Sequence, residues 1–175
     1  GYTAVELIKI LLRHPHAKVA AVTSREPLPV SDHHPSLLGR LDLVCEPLDA
    51  AALAAKGIGA AFACLPHGES KKAIGPLLER GIRVIDLSAD YRLRDAAVYA
   101  EWYGETHGDP ANLAHAVYGL PELDHGAIET AKLIANPGCY PQTAILGLAP
   151  LLAAKLIAPT GIIVNSMSGV SGGGR

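Results

Sequence analysis

A cysteine held in a turn of prolines and glycine is the sharpest chemical feature of this chain. Cys139 follows Pro137-Gly138 and precedes Tyr140-Pro141, and an apolar run with helical spacing follows, over about 142–154. Pro141 suits a first helical turn, where its missing N–H would have no partner in any case. The sulfur is therefore expected at a helix N-terminus, where unpaired N–H groups and the helix dipole favour a thiolate. Such a thiolate attacks a carbonyl carbon, and backbone donors beside it hold the oxyanion that forms. A small apolar cysteine packed in a turn fits the same residues, and on chemistry alone the two readings are level. Cys45 and Cys64 lie inside strand-like runs, where the packing role is the stronger reading.

Other candidates sit where dinucleotide folds keep their ligands. Gly1-Tyr2-Thr3, ahead of a helical pattern, has the form of the end of a glycine-rich phosphate loop. Ser24-Arg25 closes the next apolar run, at the position that reads the adenosine ribose. An acid there suits a 2′-hydroxyl and an arginine a 2′-phosphate, so Arg25 fits NADP(H) while Glu26, one residue later, blurs the choice, and a solvated charge at a strand end fits the same residues. Cys64-Leu65-Pro66-His67-Gly68 and Leu87-Ser88 also follow strand-like runs. The C-terminal ends of strands carry the ligand crevice in open α/β sheets, which makes Leu65, Pro66, His67 and Ser88 candidate cofactor walls. His67 reads either as a general base or as a polar turn residue. Arg92 and Glu122 are candidates for holding an anionic substrate, against a plain surface role. No CxxC and no Cys/His pair at zinc-ligand spacing occurs, so no metal is expected.

The elements that must position these residues alternate. Leu7, Ile8, Leu11 and Leu12 share one helical face, ended by His14-Pro15. Residues 18–23 read as a buried strand, 26–40 as a loop with one short helix, and 41–45 as a possible strand. Asp49 is a cap for an alanine-rich helix ending at Gly57. A buried strand over 59–65, a helix over 69–80 with Gly81 beyond its end, and a strand over 82–87 follow. Residues 91–126 are richer in aromatics and charges. Strands are expected again at 133–135 and 161–167, before a glycine-rich tail over 168–175. Apolar strands that do not alternate, separated by helices, predict a parallel sheet covered on both faces, the doubly wound α/β class.

Composition narrows the partners. Among 175 residues, 49% are hydrophobic and 18% charged, enough apolar material for a core and too much for disorder. The net charge of −2 without a basic run argues against a nucleic-acid surface, and no apolar stretch reaches the ~20 residues of a membrane span. Three scattered cysteines fit a reducing cytoplasm. The chain opens inside what reads as a helical turn and closes just after a strand-like run, so both ends are expected to be internal points of a longer frame.

Around Cys139 the pattern becomes specific. Asn136-Pro137-Gly138-Cys139-Tyr140-Pro141 resembles the nucleophile turn of the N-acetyl-γ-glutamyl-phosphate reductases, within the semialdehyde dehydrogenase family. Further segments resemble the same family in the same order: Gly1-Tyr2-Thr3 with Glu6-Leu7, residues 84–93, Trp102-Tyr103-Gly104, residues 116–123 and residues 168–175. The resemblance implies a two-domain enzyme of arginine biosynthesis that reduces N-acetyl-L-glutamyl 5-phosphate with NADPH to the 5-semialdehyde and phosphate. It implies that Cys139 forms a thioester and that Gly1, Tyr2, Thr3, Ser24, Arg25, Leu65, Pro66, His67 and Ser88 meet NADP(H); Arg92 and Glu122 stay substrate candidates on residue type alone. It also implies a dinucleotide-binding domain over 1–138 lacking its first strand, the start of an α+β catalytic and dimerisation domain over 139–175, a catalytic histidine beyond Arg175, and a homo-oligomer at full length.

Ala4, Gln142 and Asn165-Ser166-Met167 depart from the family pattern, the last bearing on the substrate pocket. Three other readings stay open: a reductase of aspartyl or carrier-linked acyl phosphates, a non-catalytic NADP-binding module, and a thiol hydrolase. The tyrosine-rich stretch speaks against the aspartyl enzyme, the intact Cys139 turn against the binding module, and the want of a histidine partner against the hydrolase.

Overall fold

Val5 and Ile8, one helical turn apart, are the buried face of α1 (Tyr2–Leu11). The computed structural model describes residues 1–173, so the last two residues of the glycine-rich tail, Gly174 and Arg175, lie outside the described residues. The chain forms two compact units, one of Gly1–Gly59 with the stretch from Gly169, the other of Ala60–Ser168.

In the first unit, Val5 and Ile8 pack with Val30, Leu37 and Cys45, and Leu12, Val22, Leu41 and Leu43 close over them. The proline-rich stretch forms α2 (Val30–His33) and a 3-10 turn at Pro35–Leu37. Asp49 caps α3 (Ala50–Ala55) as its sequence position predicts, accepting from the amides of Ala51 at 2.8 Å and Ala52 at 3.0 Å. Gly57 follows with φ +74°, the left-handed stop that glycine tolerates. The two strands expected at 18–23 and 41–45 shrink to isolated bridges, Thr23 with Glu46 and Val44 with Pro29. Prolines at 27, 29 and 47 flank both bridges and restrict the backbone that would extend them. Lys18, Ala20 and Thr23 are exposed, so the 18–23 run is not a buried strand.

The second unit carries a parallel sheet of four short strands: β1 (Ala60–Ala63), β2 (Arg83–Asp86), β3 (Val117–Tyr118) and β4 (Leu133–Ala135), in the order β1-β2-β4-β3. Register sets Ala63 beside Asp86, Asp86 beside Ala135, and Ala135 beside Tyr118, so all four C-terminal ends align. The helices are α4 (Ser70–Glu79), α5 (Ala96–Tyr103), α6 (Pro110–His115), α7 (Pro121–Thr130) and α8 (Cys139–Ala153). This is the expected doubly wound, Rossmann-like arrangement of parallel strands joined through helices.

Central β4 is buried at all three positions and β2 at two of its four. By contrast β1 pairs with β2 alone among the described residues and leaves Phe62 exposed, where a strand covered on both faces was expected. Ile74 and Leu77 are the buried stripe of α4, and Gly81 at φ +77° ends it as predicted. The run at 161–167 is not a strand: Ile163 is 84% exposed and Met167 99%. Strand preference reflects a fit to a paired, half-buried surface, and no neighbouring strand meets this segment among the described residues. No described helix is long and apolar enough to cross a membrane.

Candidate active site

Every sequence-predicted site residue of the second unit leaves the sheet at its C-terminal edge. Leu65, Pro66 and His67 follow β1, Ser88 and Arg92 follow β2, Glu122 follows β3, and Cys139 follows β4. Because the four strand ends are in register, loops far apart in sequence meet along one edge.

Cys139 is exposed and is the first residue of α8, with Gly138 as its N-cap in extended conformation. The helix therefore starts three residues earlier than the apolar run suggests. No side chain caps it; Pro141 has no N–H and the Gln142 N–H is spent on the Gly138 carbonyl at 3.0 Å, so the Cys139 and Tyr140 amides are the donors left for a ligand oxygen. The preceding turn is held from the neighbouring strand end. Asn136 N–H donates to the Asp86 carbonyl at 2.8 Å, and Arg92 Nε donates to the Asn136 carbonyl at 2.8 Å. Arg92 Nη2 donates to the Leu87 carbonyl at 3.2 Å. A Cβ on Gly138 would stand 3.1 Å from Arg92 Nη1 and 3.3 Å from Pro141 Cδ, so glycine lets the guanidinium approach without pressing it aside.

The segment after β3 lies against the same turn. Gly119 N–H donates to the Ala135 carbonyl at 2.8 Å, and a Cβ there would fall 2.7 Å from the Ile134 Cγ2 methyl. Glu122 follows in the first turn of α7 and is exposed.

Around β1 and β2 the site is ionic. His67, 39% exposed at its side chain, sets Nδ1 2.8 Å from Oδ1 of Asp90, which is fully buried. Its ring packs on Tyr103 with centroids 4.5 Å apart, and Nε2 lies 3.5 Å from both Tyr99 Oη and Glu105 Oε1. Lys71 Nζ sits 2.8 Å from Glu105 and holds that carboxyl below its ordinary range, with help from the Tyr99 hydroxyl. Burial pushes the Tyr99 phenol upward, and the Asp90 charge pushes it further. Ser88 is occupied inward: its hydroxyl donates to Asp86 Oδ2 at 2.7 Å and accepts from Asp90 N–H at 3.1 Å. Burial raises the Asp86 carboxyl above the usual carboxylate range, partly offset by the Ser88 hydrogen bonds. Burial also raises the thiols of Cys45 and Cys64.

In the first unit, Gly1 caps α1 without a side-chain contact, and a pocket of about 270 Å³ at that end is lined by Gly1, Tyr2, Val5, His33, Pro35 and neighbours. Ser24 N–H donates to the Glu46 carbonyl at 2.9 Å, and Ser24 Oγ accepts from Glu26 N–H at 3.3 Å. Arg25 is exposed and makes no ion pair among the described residues.

Sequence reasoning passed over Asp90, Tyr91, Tyr99, Glu105, His107 and Asp109, which bind the 86–109 region into one network. Tyr91 Oη donates to Asp109 at 2.6 Å, and His107 Nε2 lies 2.7 Å from the Asp90 carbonyl. Asp95 and Asp109 cap α5 and α6, and Pro110 and Pro121 open α6 and α7. Those caps were the available signal.

A family model described as semialdehyde dehydrogenase, NAD binding domain, matches residues 1–131, and one described as semialdehyde dehydrogenase, dimerisation domain, matches residues 139–175. Among curated proteins the chain is similar to the N-acetyl-gamma-glutamyl-phosphate reductases of Rhodopirellula baltica at 49% identity, Citrifermentans bemidjiense at 51% and Geobacter sulfurreducens at 52%. Each alignment covers 100% of this chain and 51% of the relative, so the chain spans about half the length of the curated relatives it matches.

Proposed function

Because the chain belongs to the semialdehyde dehydrogenase family, we propose that it is the nucleophile-bearing part of an NADPH-dependent reductase of N-acetyl-L-glutamyl 5-phosphate, acting in arginine biosynthesis. The observation that carries this reading is the exposed Cys139 at the head of α8, on the same sheet edge as His67, Ser88, Arg92 and Glu122. Cys139 Sγ attacks the acyl carbon, the bond to the phosphate oxygen breaks, and a thioester and inorganic phosphate result. Open amides at the start of α8 stabilise the oxyanion passed on the way. Reduced nicotinamide, when bound, would supply a hydride to reduce the acyl group, and Cys139 Sγ is the leaving group when the aldehyde is released.

The residues present fit such a cofactor. The uncapped start of α1 offers backbone donors to a pyrophosphate, and exposed Arg25 beside Ser24, with no ion pair among the described residues, offers a cation to a 2′-phosphate. In the second unit, exposed Leu65, Pro66 and His67 after β1 offer contacts to the cofactor, while Ser88, proposed from its strand-end position, is buried and acts from behind by fixing Asp86 and Asp90. Arg92 Nη1, facing Gly138, and Glu122 meet the substrate. In this reading residues 1–138 are the dinucleotide-binding domain and 139–175 the opening of the catalytic and dimerisation domain. The apolar α8 has no buried residue and the 161–167 run is exposed, which supports burial against a further surface in a homo-oligomer. Three free cysteines support a cytoplasmic setting.

The test follows nicotinamide absorbance in the full-length protein with N-acetylglutamyl phosphate, aspartyl phosphate and carrier-linked aminoadipyl or glutamyl phosphate. Oxidation of NADPH is expected with the first alone. Turnover with another acyl phosphate instead would overturn the substrate assignment, and cofactor binding without turnover on any would overturn the enzymatic reading.

A further inference from the structure

One carboxylate joins the segment after β2 to the segment after β1. Asp90 is fully buried, and both of its oxygens face donors. Oδ1 accepts from Gly68 N–H at 2.8 Å, lies 2.8 Å from His67 Nδ1 and accepts from the Tyr99 hydroxyl at 3.3 Å. Oδ2 accepts from Lys71 N–H at 3.2 Å and shares the Gly68 N–H at 3.1 Å. Gly68 and Lys71 bracket the start of α4, whose own N-cap, Glu69, turns its carboxylate to Lys72 and gives the helix no side-chain cap. Asp90 therefore caps that helix from 20 residues away in sequence, and the same carboxylate grips the histidine just before it.

The grip has a chemical consequence. With Nδ1–H given to Asp90, a neutral His67 ring carries its lone pair on Nε2, the nitrogen on the side of Tyr99 and exposed Glu105. The ring is steadied on one face by Tyr103, and the Asp90 backbone is itself held through its carbonyl by buried His107. A histidine fixed in tautomer and plane presents an acceptor to a ligand hydroxyl or amide, which a freely turning ring does not. We infer that Asp90 is a positioning residue: it sets the His67 tautomer and the 65–68 turn so that Nε2 accepts a hydrogen bond from the bound dinucleotide. The inference rests on the reading of Leu65, Pro66 and His67 as a cofactor wall.

Two measurements on the full-length protein test it. The first needs no change at Asp90: long-range proton–nitrogen correlation spectra, with the His67 signals identified by their loss in His67→Ala. The neutral ring is expected to carry its proton on Nδ1, and a proton on Nε2 overturns the inference. The second is a cycle of His67→Ala, Asp90→Asn and the double variant. The amide of Asp90→Asn sets a donor against one of the donors now satisfied. It is expected to raise the KM for NADPH about tenfold, leave that for the acyl phosphate within about threefold, and add less than about threefold once His67 is alanine. An equal rise in both backgrounds means that Asp90 acts on the fold and not through His67, which overturns the positioning role. Should His67→Ala leave the NADPH KM unchanged, the cofactor-wall reading falls, while the tautomer still decides whether Asp90 holds the ring. If Asp90→Asn does not fold, the tautomer in the unchanged protein decides alone.

Discussion

Arg92 Nε donates to the Asn136 carbonyl at 2.8 Å, so the guanidinium that leaves β2 holds the turn that leaves β4 and leads into Cys139. Its second contact, to the Leu87 carbonyl at 3.2 Å, makes it a fork across two strand ends. A lysine keeps the charge and loses the fork. Arg92→Ala is expected to cost about 1–3 kcal/mol, since two half-buried carbonyls lose a charged donor. Arg92→Lys is expected to recover little of that loss. Urea denaturation midpoints check both, and an unchanged midpoint in Arg92→Ala would show that the fork contributes nothing to the fold.

Cys139 is exposed, Cys64 half-buried and Cys45 4% exposed, and burial raises the last two thiols. Alkylation of the native protein is therefore expected first at Cys139 and last at Cys45, read by peptide mass mapping over time. In the full-length protein Cys139→Ala is expected to abolish turnover and leave NADPH affinity within about threefold, because the proposed mechanism uses the thiol for chemistry and not for cofactor binding. Wild-type turnover in this variant would remove the proposed nucleophile.

What the sequence could and could not show divides by distance along the chain. Asp49 with Gly57, Gly81, and the Cys139 turn were legible because a cap, a left-handed stop or a tight turn is written within a few adjacent residues. The placement of Leu65 to His67, Ser88 and Cys139 at strand ends was legible too, since apolar runs stop there. The Asp90 network was not: Gly68 and Asp90 are 22 positions apart, Tyr91 and Asp109 are 18, and no periodicity marks either pair. Strand β3 is two residues long, too short for any pattern. The runs at 18–23 and 161–167 have strand composition, yet composition cannot say whether a neighbour will pair with them.

Arg25 is exposed, unpaired among the described residues, and follows Ser24, whose amide is fixed to the Glu46 carbonyl. If it reads a 2′-phosphate, its loss must discriminate between cofactors. Arg25→Ala is expected to weaken NADPH by about 1.5–3 kcal/mol, roughly ten- to a hundredfold, and NADH hardly at all. Titration of both dinucleotides by fluorescence checks this, and equal losses would remove Arg25 from the phosphate site.

Asp86 sets the sign of a pH dependence. Burial raises its carboxyl in the folded protein, the two Ser88 hydrogen bonds offset part of that, and the charge of Asp90 adds to the rise. In the unfolded chain the group titrates near its ordinary value, about 3.9. Between that value and the higher folded one, the folded state holds more protons than the unfolded state, so stability falls as pH rises through the window. The contribution is fully present below the unfolded value and lost above the folded one. Asp86→Asn has nearly the same shape, its oxygen can accept the Ser88 N–H, and it carries no charge to desolvate. The difference in melting temperature between Asp86→Asn and the parent is therefore expected to move in the variant's favour from pH 4 upward and to level off once Asp86 is ionised in the folded parent. The slope is the informative quantity, because any fixed cost from re-forming the Ser88 contacts with an amide is the same at every pH. A gap that stays constant across that range would mean that Asp86 titrates alike in both states, and that its burial carries no penalty on the charge.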